Sequence, residues 1–174
     1  MKQTNAKPMI IILILILAVL SVDLYLRYKK DSNPDYSILN LQDDPLSLTG
    51  FVSVDISTTN DAMILTKDCK SLAMSTYDFQ VYSIQQGLDD KIDARPLTHD
   101  VANAILSNYN IKVMMVKISE YESGLYKANL FLKQNDQILN IESRPSDAIA
   151  IAVRQNSPIY IKKDILDKQA QDSC

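Results

Sequence analysis

The sequence predicts an α+β fold, in which a single domain with a mixed or antiparallel sheet and a few helices is preceded by an N-terminal transmembrane helix. Short β-like runs outnumber helical segments and follow one another directly, which argues against a regular alternation of strands and helices. Apolar residues make up 47% and charged residues 22% of the chain, so a normal core can be buried. The length of 174 residues suits one ordinary domain with an appendage.

Residues 1–30 predict a membrane anchor. Residues 9–22 carry no charge over fourteen positions, and apolar character continues to Leu26 with only Asp23 interrupting it. A membrane-spanning helix needs about 20 residues, whereas the core of a signal peptide has about 7 to 15. No Ala-x-Ala cleavage site follows, which favours an uncleaved single-pass anchor over a removed signal peptide. Basic residues flank both ends, so the side of the membrane on which the domain lies stays open.

Residues 31–47 predict a polar linker, and residues 48–174 the domain itself. The linker holds two prolines and four aspartates, a composition typical of turns and spacers. The two cysteines, Cys69 and Cys174, do not have the spacing of metal ligands. We therefore expect no disulfide framework, and the cysteines do not indicate a redox compartment.

Alternating apolar residues bounded by turn-forming clusters place the strands of the domain. The first two runs are separated by the cluster Ser-Thr-Thr-Asn-Asp, and the three central runs are separated by turns at 120–124 and 134–136. The predicted strands are residues 48–56, 62–66, 72–76, 111–118, 125–132, 137–141 and 158–161.

Capping residues and helical spacing place the helices. Asp78 can cap a helix over residues 78–88, Thr98 caps one at 99–108, Ser146 caps one that runs to Arg154, and a short helix follows at 163–170. The stretch 148–153 is apolar all round and is therefore expected to be buried. Apolar faces of the first two helices are predicted from Phe79, Val81 or Tyr82, and Ile84, and from Val101, Ala104 and Ile105.

An internal echo is the most informative feature of the sequence. Residues 92–105 read IDARPLTHDVANAI and residues 141–152 read IESRPSDAIAIA. Each copy contains a strand, an acidic residue, Arg-Pro, a hydroxyl residue, and an aspartate in the first turn of an apolar helix. An arginine beside a helix N-terminus is suited to bind a phosphate, so Arg95, Arg144 and Ser146 are candidate substrate-binding residues.

Two interpretations of this echo stay open. Asp100 and Asp147 can complement the positive ends of their helices, with each arginine pairing its local aspartate, which would make both copies well-formed helix starts. Alternatively, the two copies converge on a phosphate site. His99 is the chain's single histidine and is more often structural at such a position, although general acid/base work is possible there.

These motifs resemble the bifunctional nuclease (DNase/RNase) family. The resemblance rests on RPLTHD at 95–100, GLYKANL at 124–130 and RPSDAIAIAVRQNSPIYI at 144–161, in the family's order. It implies an α+β domain, often oligomeric, with nuclease activity on RNA and DNA. The chain departs from the family pattern at Tyr77, which replaces a glycine, at Gln80, which replaces an acid, and at Glu142-Ser143, which replaces Asp-Ala. Loss of the acid at position 80 is expected to weaken a divalent-metal site that used it.

Charge limits the kind of nucleic-acid site that is possible. The first 30 residues hold five of the 18 basic and one of the 21 acidic residues, which leaves 13 basic and 20 acidic residues and a net charge of −7 from residue 31 onward. Proteins that grip duplexes by counterion release usually carry the opposite sign. Any activity on nucleic acid must therefore depend on a local positive site.

Two functions are consistent with these observations. The first is a membrane-anchored nuclease, assisted by Mg²⁺ or Mn²⁺, that acts on single-stranded nucleic acid as a homo-oligomer. The second is a non-catalytic, membrane-tethered module that binds a phosphorylated ligand or a protein partner. For the nuclease, the candidate catalytic residues are His99, Asp100, Arg144 and Asp147, the substrate-binding residues Arg95, Arg144 and Ser146, and the metal ligands Asp100, Glu142 and Asp147.

Overall fold

The computed structural model of the protein describes residues 16–26, 37–38 and 46–174. The chain divides into two compact units, residues 1–35 and residues 36–174. In the first unit, residues 16–26 are helical (α1) and exposed. Among the described residues, no helix combines the length and the apolar character needed to cross a membrane. The rest of the predicted anchor and most of the predicted linker lie outside the described residues, so both stay predictions.

The second unit contains the α+β domain. Its strands are β1 (Ser37–Ile38), β2 (Phe51–Ser53), β3 (Asp55–Thr58), β4 (Ala62–Lys67), β5 (Lys70–Ser75), β6 (Lys112–Glu122), β7 (Leu125–Gln134), β8 (Gln137–Ser143), β9 (Ile159–Lys162) and β10 (Gln171–Asp172). Its helices are α2 (Asp78–Leu88), α3 (Thr98–Asn108), α4 (Pro145–Val153) and α5 (Lys163–Gln169).

These strands form two sheets. The larger has the order β1-β8-β7-β6-β9-β2, with β6 and β9 parallel and its other pairs antiparallel, so the prediction of a mixed sheet is confirmed. The smaller is antiparallel, with the order β10-β5-β4-β3. The single strand predicted at 48–56 divides at Val54, because the Val54 amide still bonds to Ile159 O (3.0 Å) while Asp55 pairs with Thr66 in the other sheet.

Helix α4 lies in the hydrophobic core, as its all-apolar composition predicts. Ala148, Ile149, Ala150 and Ala152 have no exposed surface. The helix packs against α2, β6 and β7, with α3 on its other side. The N-terminus of α4 is therefore fixed by packing at the point where the second Arg-Pro motif lies.

The predicted apolar faces of α2 and α3 differ in how far they are buried. Val81 and Ile84 are buried, but Phe79 and Tyr82 are exposed, and α2 instead buries the polar residues Gln80 and Ser83. Helix α3 buries only one residue, Asp100, and exposes its predicted apolar residues Val101, Ala104 and Ile105. Gln80, Ser83 and Asp100 are buried because α2, α3 and α4 are also joined by a hydrogen-bonded polar network.

The three predicted helix caps are also displaced. Tyr77 is the N-cap residue of α2, and Asp78 is its first helical residue. Thr98 is the first residue of α3, and Asp100 Oδ2 accepts a bond from the amide of the N-cap residue Leu97 (2.7 Å). In α4, Arg144 occupies the N-cap, Pro145 follows it, and Ser146 lies inside the first turn. Proline favours the first helical position because its fixed φ suits the helix and its missing N–H is not needed there.

A disulfide joins Cys69 to Cys174, contrary to the expectation from their spacing. The two Cα atoms lie 5.1 Å apart although 105 positions separate the residues in sequence. Strand β10 pairs with β5, and the Ser173 amide bonds to Cys69 O (2.8 Å), which brings the end of the chain beside the β4–β5 turn. Sheet pairing between distant segments creates this proximity, and no local spacing rule reports it.

Close packing of α2 on α4 makes Gly87 a sensitive position. A Cβ there would lie 2.6 Å from Val153 Cγ2 and 2.9 Å from Arg154 Nη1. Overpacking costs about 1–3 kcal/mol, against a gain in helix propensity of about 1 kcal/mol. We expect Gly87→Ala to lower the free energy of unfolding by about 1 kcal/mol in urea titrations. Adding Val153→Ala should recover part of that loss, and a Gly87→Ala protein at least as stable as wild type would contradict the prediction.

Candidate active site

An open cleft of about 470 Å³ lies at the end of β5, beside the β6–β7 turn and the first residues of α2 and α4. Tyr77 and Gln80 line it from the α2 side, Leu125 from the β6–β7 turn, and Arg144 and Ser146 from the start of α4. Ser146 is buried, whereas 65% of the Arg144 side chain is exposed. The cleft therefore presents a guanidinium to solvent.

Asp147 holds this guanidinium and joins it to the neighbouring helices. Arg144 Nε donates to Asp147 Oδ2 (2.7 Å), and Gln80 Nε2 donates to Asp147 Oδ1 (3.2 Å). His99 Nε2 from α3 lies 3.5 Å from the same Oδ1. The hydrogen bond and the charge of Asp147 raise the pKa of the Arg144 guanidinium above its ordinary value. One carboxylate thus contacts residues from both Arg-Pro motifs.

Gln80 has a clear role in this arrangement. Its side chain is buried, Thr76 Oγ1 donates to its Oε1, and its Nε2 is thereby directed to Asp147. An acid at position 80 would need a proton or a bound cation in order to lie beside Asp147. The amide instead supplies a donor, so the departure from the family pattern fits a site in which Asp147 is held by hydrogen bonds.

His99 is mostly buried, with 14% of its side chain exposed. Its Nδ1 lies 2.8 Å from Ser83 Oγ, and Arg154 Nη2 donates to that same oxygen (3.2 Å). Because Nε2 faces the Asp147 carboxylate, which can only accept, the proton of the neutral imidazole is assigned to Nε2, and Nδ1 then accepts from the Ser83 hydroxyl. Burial lowers the pKa of His99, and the Asp147 carboxylate opposes that shift.

The lowered pKa predicts a pH-dependent stability. Below about pH 6.5 the unfolded chain protonates His99 before the folded chain does, so folding stability falls as the pH drops through this value. We expect urea titrations at pH 7.5 and pH 5.5 to show a larger loss for wild type than for His99→Gln. The glutamine cannot titrate, while the carboxylates are common to both proteins. Equal losses in the two proteins would show that the folded state does not resist protonation of His99.

Asp100 has a structural position, away from the cleft. Arg154 Nε lies 2.6 Å from Asp100 Oδ1, and only 6% of the Arg154 and 4% of the Asp100 side chain are exposed. Arg154 Nη1 also donates to Ala150 O (2.6 Å). Arg154 was not predicted as a site residue. Its position at the end of a buried helix could have indicated its role, since an aspartate that packs against such a helix needs a counter-ion.

A scan against protein-family models matches residues 63–173 to the bifunctional nuclease domain. This match covers more than half of the chain. The chain belongs to the bifunctional nuclease domain family. The resemblance first indicated by the Arg-Pro motifs is thus confirmed, and both motifs lie inside the matched region.

Three relatives illustrate how far this domain has diverged. An uncharacterized protein of Mycobacterium tuberculosis (strain H37Rv) is 33% identical over 82 residues, which are 47% of this chain and 46% of the relative. Bifunctional nuclease 2 of Oryza sativa subsp. japonica is 32% identical over 75 residues, 41% of this chain and 23% of the relative. Bifunctional nuclease 1 of Arabidopsis thaliana is 33% identical over 73 residues, 40% of this chain and 22% of the relative. The chain thus aligns with less than half the length of each relative.

The bifunctional nuclease domain does not bring all the predicted site residues together. Arg95 is exposed, makes no hydrogen bond or ion pair within the described part of the chain, and does not line the cleft. Asp100 pairs with Arg154, so the local pairing expected of each arginine holds for Arg144 but is wrong for Arg95. Glu142 is exposed on β8. Arg144 and Ser146 line the cleft, and Asp147 and His99 are joined to it through Arg144.

The predicted metal ligands are not gathered into one group. Within residues 16–26, 37–38 and 46–174, no three His, Cys, Asp or Glu side chains are placed to hold a metal ion. Both oxygens of Asp100 are already used, by Arg154 and by the Leu97 amide. The set Asp100, Glu142 and Asp147 therefore does not fit a shared Mg²⁺ or Mn²⁺, and dependence on either metal stays a prediction.

Proposed function

We propose that this bifunctional nuclease domain hydrolyses phosphodiester bonds of RNA, DNA or both. One observation carries the proposal: Arg144, Asp147 and His99, drawn from both Arg-Pro motifs, are joined by close contacts beside an open cleft. The names of the plant relatives support the same activity for the family.

Arg144 binds the phosphate. Only its Nε is used by Asp147, and its two terminal nitrogens make no hydrogen bond within the described residues. These nitrogens form a planar pair of donors that matches two phosphate oxygens, and their charge offsets the charge that develops during hydrolysis. The N-terminus of α4 lies at the same point and adds a favourable dipole.

Asp147 accepts the proton of the attacking water, and His99 positions Asp147. A water molecule attacks phosphorus and its proton passes to the Asp147 carboxylate. The bond from phosphorus to the leaving oxygen breaks, the leaving oxygen takes a proton from solvent water, and Asp147 then releases its proton to solvent. His99 on the far side of Asp147 fixes the carboxylate and, while neutral, donates Nε2–H toward it. His99 is therefore a positioning residue for Asp147 in this proposal, and Asp100 supports the site through Arg154.

The proposal also covers the membrane tether and the oligomeric state of the domain. Residues 1–30 would tether the domain to a membrane, and homo-oligomers of the tethered domain are expected. Because the predicted ligand set does not fit a metal, no step is assigned to Mg²⁺ or Mn²⁺. The cleavage assay below therefore compares Mg²⁺, Mn²⁺ and chelator.

The close partners of Asp147 favour the second function, a non-catalytic binding module. Both of its oxygens already have close partners, which leaves less capacity to accept a proton. The net charge of −7 from residue 31 onward likewise favours a small phosphorylated ligand over a long polymer. Arg144 would bind that ligand in the same cleft.

A cleavage assay separates the two functions. The purified full chain is incubated with end-labelled single-stranded RNA and DNA, in the presence of Mg²⁺, Mn²⁺ or chelator. Cleavage by wild type that Arg144→Ala loses supports the nuclease. Absence of cleavage in every condition, with inorganic phosphate competing for a bound oligonucleotide, supports the binding module.

A further inference from the structure

We propose that Tyr77 and Phe79 form a stacking platform that receives an unpaired base of a single-stranded nucleic acid whose phosphate is held by Arg144. The inference rests on the proposed function, because it names the substrate class of the same cleft. It adds two residues, neither of which belongs to the Arg-Pro motifs.

The two rings are both exposed and nearly parallel. Tyr77 is 68% and Phe79 67% exposed, the angle between their planes is 8° and their centroids lie 5.8 Å apart. Tyr77 is the N-cap residue of α2 and lines the cleft, and Phe79 follows in the first turn. Large aromatic rings that lie open to water in this way contribute little to the core, which α2 meets through Val81 and Ile84.

The position of the rings relative to Arg144 fits a nucleotide. Both Tyr77 and Arg144 line the same cleft. A flat base face matches a flat ring, while the phosphate attached to that nucleotide matches the planar guanidinium. A ring platform beside a cation is how proteins bind single strands without reading their sequence.

Charge and shape favour a single strand over a duplex. Base faces inside a duplex are covered by their neighbours, so a ring platform has nothing to contact there. A duplex would have to be held through its phosphates, and the net charge of −7 from residue 31 onward opposes that. A cleft of about 470 Å³ suits one nucleotide rather than a helix. The remaining apolar wall, including Leu125, can contact the sugar and base.

The test measures binding to strands that gel electrophoresis shows to be intact after the measurement. Fluorescence anisotropy of the full chain in chelator is recorded with a short labelled oligothymidylate, with its duplex, and with an abasic strand of equal length. The single strand should bind at least about fivefold more tightly than the abasic strand, since stacking on aromatic residues is worth about 5- to 150-fold in affinity per base. Tyr77→Ala and Phe79→Ala should each remove most of this difference, and Tyr77→Phe should retain it.

Tyr109→Ala is the matched control. Tyr109 is 67% exposed at the end of α3 and does not line the cleft, so its removal should leave binding unchanged. Equal affinity for the oligothymidylate and the abasic strand, no binding by wild type, or unchanged binding by Tyr77→Ala would each overturn the platform. If wild type prefers the single strand but never cleaves it, the platform is supported and the nuclease proposal is contradicted. Cleavage by wild type, with an unaltered KM in Tyr77→Ala, would support the nuclease and overturn the platform.

Discussion

Replacing Arg144 with alanine is expected to lower the rate of phosphodiester cleavage by about 10²- to 10³-fold, the usual effect of removing one donor that stabilises transition-state charge. The free energy of unfolding should change little. The Arg144–Asp147 ion pair is solvent-exposed on the arginine side, and such pairs contribute only about 0–1 kcal/mol. The prediction therefore separates chemistry from folding.

Two further variants sharpen the measurement of cleavage. Arg95→Ala removes the arginine of the other Arg-Pro motif, which is exposed but does not line the cleft, so it should retain most of the activity. Arg144→Lys keeps the charge but loses the planar pair of donors, and it should recover only part of the rate. Loss of activity in Arg95→Ala equal to that in Arg144→Ala would contradict the site described here and restore the symmetrical one predicted from sequence.

Local sequence signals predicted most of the elements of the domain. Helix α2 was predicted with its observed bounds, and the core position of α4 followed from its all-apolar composition. The strand trio β6–β8 followed from alternation and turn residues. These features depend on neighbours within one turn or one hairpin, which is the range over which periodicity and turn chemistry act.

Contacts between distant segments were not predictable in this way. The network of Gln80, Ser83, His99, Asp147 and Arg154 joins three helices, and each partner is chosen by packing rather than by spacing. For the same reason, helical spacing placed the apolar residues of α3 on one face but did not show that this face is exposed.

The candidate site itself was predicted in part. Arg144, Asp147 and His99 were recognised from the repeated motif, and the structure brings all three into contact. Arg95 and Asp100 occupy equivalent positions in the first copy but have different surroundings. A sequence repeat specifies similar local structure in both copies, whereas only the second copy opens into the cleft.

Breaking the buried pair between α3 and the end of α4 should have the largest effect on stability. Arg154→Ala leaves Asp100 as an unpaired buried charge, which typically costs about 3–5 kcal/mol. It also removes the donor to Ser83, on which the orientation of His99 depends. We expect a large fall in the free energy of unfolding measured in urea.

Removing the charges of both Asp100 and Arg154 provides the control for that prediction. The double variant Asp100→Leu, Arg154→Met leaves no buried charge, and apolar pairs of similar volume often match or exceed the stability of a buried ion pair. Recovery should nevertheless be partial, because the Leu97 amide loses its acceptor on Asp100. A small effect of Arg154→Ala, comparable to that of Arg144→Ala, would mean that Asp100 escapes to water or to a proton. The α3–α4 junction would then be less rigid than its contacts imply, and His99 could not be held beside Asp147 by this route.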